Sequence, residues 1–142
     1  MRSRRLALGL GSAALALSAC VSTSPAEPVV MLGDNAVTVL IADDDGERAR
    51  GLQGVEPLKP GEGMLFVFDD TAVRTFVMKE VAFPIDVLFI AEDLTVSAIE
   101  PLDPGEMRRV TSPDPSRYVV ELPQGWAEGA NITVGTPFEP PN

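Results

Sequence analysis

The sequence predicts a single compact, mainly β domain of the sandwich or barrel kind, with one or two short helices. Three observations lead there. The chain has 142 residues, 45% of them hydrophobic and 23% charged, the balance of an ordinary globular domain with enough apolar mass for one core. From residue 29 onward the apolar residues come in short runs, at 29–32, 36–41, 64–68, 74–79, 85–90, 94–99, 118–122 and 132–134, separated by Gly, Pro and Asp. One of these runs, Met64-Leu65-Phe66-Val67-Phe68, is apolar at every position rather than at alternate ones, as expected of a central strand covered on both sides.

Taken in chain order, the first element is a targeting segment. Arg2, Arg4 and Arg5 precede a stretch at 6–17 made only of Leu, Ala, Gly and Ser, the length of a signal-peptide core and too short to span a bilayer as a helix. Residues 1–19 therefore read as a signal peptide. The stretch ends Leu17-Ser18-Ala19-Cys20, which resembles the bacterial lipobox, and that resemblance implies a diacylglycerol thioether on Cys20 and cleavage before it. Two or three acyl chains, each burying about 0.8 kcal/mol per CH₂, would hold the protein stably on a membrane without spanning it. The residue after Cys20 is Val21 rather than the Asp that marks inner-membrane retention in such lipoproteins, which favours the outer membrane, facing the periplasm. Residues 20–28 form a lipidated tether, small, polar and Pro-containing, with too little to bury.

The domain proper is expected over 29–138. In 36–41 the side chains of Val37, Val39 and Ile41 alternate with Thr38 and Leu40. Asp43-Asp44-Asp45 can cap a short helix running through Ala49 and Arg50, because carboxylates suit a helix N-terminus, and Gly51 is placed to stop it. The run at 74–79 ends on Lys79, a Pro84 turn leads into 85–90, and a second helical turn is expected near Gln124 and Trp126. Residues 139–142, rich in Pro, are expected to fray.

Several short motifs fall in one order: Glu47-Arg48-Ala49-Arg50-Gly51-Leu52, Gly63-Met64-Leu65-Phe66-Val67-Phe68, Phe76-Val77-Met78-Lys79, Pro84-Ile85-Asp86-Val87-Leu88-Phe89-Ile90 and Tyr118-Val119-Val120-Glu121-Leu122-Pro123-Gln124-Gly125-Trp126. The ordered set resembles the bacterial and archaeal family called domain of unknown function 192, over about residues 36–138. The resemblance implies a compact, mainly β domain, often exported, and transfers a shape without an activity. The sequence departs from the family pattern at Gln53, where Met is usual, at Val77, where Trp is usual, and at Glu80-Val81, where Asn-Thr is usual.

Composition excludes several chemistries. The chain has no His and one Cys, which removes Cys/His zinc sites, imidazole-dependent triads and an internal disulfide framework. The net charge of −10, without a basic cluster, argues against nucleic acid as a partner. An EF-hand register on Gly46 would put Ile41 and Leu52 at ligand positions, so Asp43-Asp44-Asp45 is not such a loop. No metal or cofactor is expected.

What remains is a short set of candidates. Asp86 stands between Ile85 and Val87 at the start of an apolar strand, on the face of Leu88 and Ile90, where a carboxylate needs hydrogen bonds or a cation. It is either an acid/base or ligand-fixing group or a strand-start residue tying down backbone N–H groups. Lys79 is its nearest cationic candidate in sequence, and Glu80 or Glu121 could supply a second carboxylate. Met78, Lys79, Asp86 and Trp126 are the candidate ligand-binding residues, although Met78 also reads as a core filler and Trp126 as a plug for one end of the core. The reading this supports is a lipid-anchored, non-catalytic binding or accessory module of the cell envelope, its partner a small molecule or another envelope protein. The alternative is a small carboxylate-dependent hydrolase or lyase using Asp86 with Lys79.

Overall fold

The computed structural model describes residues 26–142, so the signal segment 1–19 and Cys20 lie outside the described residues. The described chain runs β1 (Val29–Leu32), β2 (Asn35–Ala42), α1 (Asp45–Arg50), β3 (Glu62–Ala72), β4 (Thr75–Val77), β5 (Ile85–Ile90), β6 (Val96–Leu102), β7 (Arg109–Thr111), β8 (Ser116–Pro123), α2 (Trp126–Gly129) and β9 (Phe138–Glu139). Seven strands form one sheet in the order β6-β5-β8-β3-β2-β1-β9, and β4 and β7 form a separate two-stranded ribbon. Every pairing is antiparallel except β2 with β3, where the chain needs a crossover, and α1 and the loop after it supply one. The large sheet curls into a half-barrel whose two outer strands meet at one end. There the Phe138 N–H donates to the Leu94 carbonyl at 2.8 Å, Val96 N–H to Thr136 at 2.9 Å and Gly135 N–H to Val96 at 2.7 Å. The mainly β expectation holds.

The crossover helix forms as its sequence dictates. The Asp44 carboxylate accepts from the Glu47 N–H at 2.7 Å, acids fill the first turn and arginines the last, and Gly51 takes the positive φ of 51° that ends the helix.

Strand alternation sorts the core into two compartments. Leu88 and Ile90 of β5, Val120 and Leu122 of β8 and Leu65 of β3 point into the barrel with Leu32, Ile132 and Phe138. Ile85, Val87 and Phe89, with Val119, Met64 and Phe66, point outward and are covered by Leu52, Met78, Phe83 and Val110. All six positions of β5 are buried as a result.

Four local expectations change. The run at 132–134 is not a strand: Ile132 plugs the inner core from the turn after α2, its N–H bonded to the Ala127 carbonyl at 2.9 Å, and Asn131 before it takes a left-handed φ of 57°. The run at 74–79 is strand only at Thr75–Val77, because Met78 turns down into the outer core. The expected strand at 94–99 begins at Val96, since Leu94 has a φ of 60°. The end of the chain is tied further than expected, with Leu32 paired to Phe138 and Met31 to Glu139. Strand β7 has too few apolar residues to carry a periodic signal.

Gly63 fixes how closely β3 approaches β8. A Cβ at this position would lie 2.8 Å from the Glu121 carbonyl oxygen and 2.9 Å from Leu122 Cδ2. Gly63→Ala is expected to cost about 1–3 kcal/mol in urea unfolding, because the atom it meets first is main chain and cannot swing away. Glu80, in contrast, sits at a φ of 54°, a conformation that suits Asn or Gly and strains other residues. Restoring the Asn usual in the family resemblance, Glu80→Asn, should raise stability by about 0.5–1 kcal/mol in the same assay.

Candidate functional site

A cleft of about 500 Å³ opens on the outer face of the sheet, between α1 and the β4 segment. Its apolar wall is Phe66 and Phe68 of β3 with Phe76 of β4, where Phe76 packs edge-on against Phe66 at a centroid distance of 4.9 Å. Arg48, Arg50, Arg74 and Lys79 also line it. Glu121 reaches it from β8.

Glu121 arrives there by strand alternation. It pairs with Met64 on one side and Val87 on the other, and both of those side chains belong to the outer compartment. The residue is 7% exposed, and its Oε2 has no hydrogen-bond partner. Burial alone pushes its pKa up to about 8, so the carboxyl is protonated at neutral pH. A neutral carboxylic acid can donate one hydrogen bond and accept others.

Two of the three cleft arginines, Arg48 and Arg74, are held by a flaw in the ladder. The register between β3 and β8 shifts between Val67 and Ala72, which interrupts the normal backbone pairing there. Side chains supply donors instead. Arg48 Nη1 donates to the Val67 carbonyl at 2.7 Å, Arg117 Nε to Phe68 at 3.1 Å and Arg74 Nε to Ser116 at 3.0 Å. Arg48 and Arg74 also bind Asp45 and Asp70, each at 2.7 Å, and the Arg74 contact holds the Asp70 carboxyl below the usual range. Their guanidinium carbons lie 5.3 and 3.8 Å from the Phe68 ring centroid, so that ring is held by two cations. Arg50 and Lys79 are exposed, and among the described residues neither has a carboxylate within salt-bridge distance.

Asp86 is elsewhere. It pairs with Leu122, whose side chain is in the inner compartment, so Asp86 and Glu121 point to opposite faces of the sheet. Asp86 is 6% exposed and accepts the Gly125 N–H at 2.8 Å, tying β5 to the start of α2. Burial raises its pKa, the Gly125 bond opposes that rise, and the charge of Glu128 adds to it. It lines a separate hollow of about 540 Å³ with Gln124, Glu128 and Asn131, apart from the cleft that holds Lys79. An Asp86–Glu121 carboxylate pair is therefore ruled out by the sheet between them. Met78 is buried in the outer core, and Trp126 packs against the inner one without lining either hollow. Glu121 was legible only as a second carboxylate; the stronger signal was a single acid inside the apolar run at 118–122.

Residues 29–139 match the family described as DUF192, an uncharacterized ACR. A crystal structure of a protein of unknown function from Novosphingobium aromaticivorans is 27% identical and superposes with a TM-score of 0.74, over 79% of this chain and 83% of that one. A putative transcription regulator from Sinorhizobium meliloti is 32% identical with a TM-score of 0.76, over 81% of this chain and 94% of that one. No curated protein matches the chain.

The position of Glu121 makes stability depend on pH. Folded, it keeps its proton up to about pH 8, whereas in the unfolded chain it loses it near its ordinary 4.5. Its contribution is complete below that lower value and is lost as pH rises to about 8. Urea unfolding at pH 5 and pH 9 should show a drop in wild type that is smaller in Glu121→Gln. Glu121→Met, which removes the unpaired group and keeps the bulk, should be more stable than wild type at pH 8, by about 1–3 kcal/mol.

Proposed function

This chain belongs to the DUF192 family, and from that premise we propose that it is a binding module, exported and lipid-anchored through Cys20, that holds a small molecule in the outer cleft. The observation that carries the reading is the unpartnered Glu121 carboxyl. A buried polar group without a partner costs folding free energy, and the natural reason to retain one inside a cleft is a partner that arrives from outside. The cleft volume of about 500 Å³ is within the range of small-molecule sites.

Binding is favoured over catalysis by the distribution of the acids. Hydrolysis by two carboxylates needs both to converge on one substrate, about 5–10 Å apart, and Asp86 is on the far face of the sheet from Glu121. The other acid of the cleft, Asp45, is bound to Arg48. Asp86 reads as a structural tie through its Gly125 bond. The regulator description of the Sinorhizobium structure is not carried over, because a net charge of −10 gives little attraction for nucleic acid.

Localisation rests on residues 1–28: a basic start, an apolar core, the Leu17-Ser18-Ala19-Cys20 sequence and a Pro-containing tether that enters β1 at Val29. The acidic surface would keep the domain off anionic headgroups while the lipid holds it near them.

Native mass spectrometry of the protein purified from its own envelope should show a noncovalent adduct that is missing from Glu121→Met; a wild-type protein that is always bare would count against the binding reading. For the anchor, palmitate labelling should disappear in Cys20→Ser and the unprocessed precursor should accumulate. Undiminished labelling of that variant would refute lipidation at Cys20.

A further inference from the structure

Resting on the reading of the outer cleft as a ligand site, we infer that its ligand is a small amphipathic organic acid: an anionic head at Arg50 and Lys79, an apolar body along the phenylalanines and a polar far end hydrogen-bonded to Glu121. Charge is the first argument. The chain carries a net charge of −10, yet four of the eight Lys and Arg at 26–142 line this one cleft. Arg48 and Arg74 are neutralised by Asp45 and Asp70, while Arg50 and Lys79 have no acidic partner among the described residues. Two unpaired cations at the mouth of a cleft in an acidic protein draw anions to that mouth and repel amines.

The apolar wall is the second argument. Phe66 and Phe76 meet edge to face, Phe68 lies against the Arg74 guanidinium, and Val73 and Val77 line the same cleft while 57% and 39% exposed. Two large aliphatic side chains left in water beside three rings form a surface that a ring or short alkyl body would cover.

Glu121 is the third. A buried carboxylate would suit an ammonium group, but this carboxyl is protonated at neutral pH and the cations at the mouth repel amines. The neutral acid serves instead as donor to an uncharged oxygen at the far end of the ligand. Its ionisation above about pH 8 places a negative charge beside the bound anion and removes that donor. The charged groups facing it across the cleft are Arg48, Arg50 and Asp45 from α1, Arg74 and, beyond β4, Lys79; β3 and β5 present Phe66, Met64 and Val87.

The test uses four probes at pH 7 and low salt, titrated by NMR: 3-(4-hydroxyphenyl)propionate, its primary amide, 3-(4-hydroxyphenyl)propylamine, and 3-phenylpropionate. The acid should bind about tenfold more tightly than the amide, with the amine weakest. 3-Phenylpropionate, which lacks the hydroxyl, should bind less tightly than the hydroxylated acid, and the methyl signals of Val73, Val77 and Val81 should shift. The double variant Arg50→Gln/Lys79→Gln, both changes at exposed positions, should bind acid and amide alike with an unchanged melting temperature. Wild-type affinity for the acid should fall between pH 7 and pH 9, whereas Glu121→Gln should show no such fall. An amine that binds as tightly as the acid, or an acid preference that survives in the double variant, overturns the ligand class and leaves the cleft as a small-molecule site. Failure of all four probes to shift any cleft signal at millimolar concentration overturns both.

Discussion

A sheet covered on both faces has no solvent side to which a side chain can retreat, and that constraint organises the molecule. Strands β5, β8 and β3 run side by side inside it, so the buried side chains along them belong to one of two compartments, chosen by the parity of position. For apolar residues the choice is harmless. For the two acids it decides their fate. Asp86 faces inward at the end of its strand, where the chain before α2 offers it an N–H. Glu121 faces outward beside Val87 and Met64, where Oε2 is offered nothing. The two carboxyls occupy adjacent strands one residue out of step, and the pleat gives one a structural bond and the other an open cleft.

The shape of that cleft depends on how the sheet's irregularity is repaired. Where the β3–β8 ladder loses register, the carbonyls of Val67, Phe68 and Ser116 take donors from arginine side chains. Arg48 comes from α1 and Arg74 from the segment just before β4, so the same bonds that satisfy the ladder also fasten both walls of the cleft to its floor. Guanidinium suits this task because its planar fork can bond carbonyl, carboxylate and an aromatic face together. Phe68 beneath them is thereby fixed in position, and the wall presented to a ligand is largely pre-formed.

Much of the architecture was legible in the residues and much of the site was not, for separable reasons. The doubly apolar 64–68 run, the Asp44 cap and the Gly51 stop are local signals, and each has its expected outcome. Strand β7 leaves no mark in the sequence because three residues with one apolar member have no measurable period. The run holding Ile132 reads as a strand in sequence because a plug and a strand look alike over three residues. Asp86 was legible as a buried acid, but its partner comes from Gly125, 39 residues later, and no spacing rule could supply it. The prominence of Glu121 depended on knowing which face of β8 lies under a cleft and which under packed side chains. That is a property of the covering elements α1 and β4, which the strand itself does not encode. Glu80 is the converse case: its departure from the family's Asn was visible in sequence, and the positive φ at that position gives the departure a physical meaning.

The pairing of β9 with β1 has a consequence for how the domain folds. Strand β1 has its outer neighbour in Phe138 and Glu139, at the opposite end of the domain in sequence. Until they dock, Leu32 and the Leu94 turn lack their cover, because this pairing closes a long stretch of chain. Because the two ends of the domain hold each other in this way, the sheet edge at β1 is among the last parts of the fold to be completed.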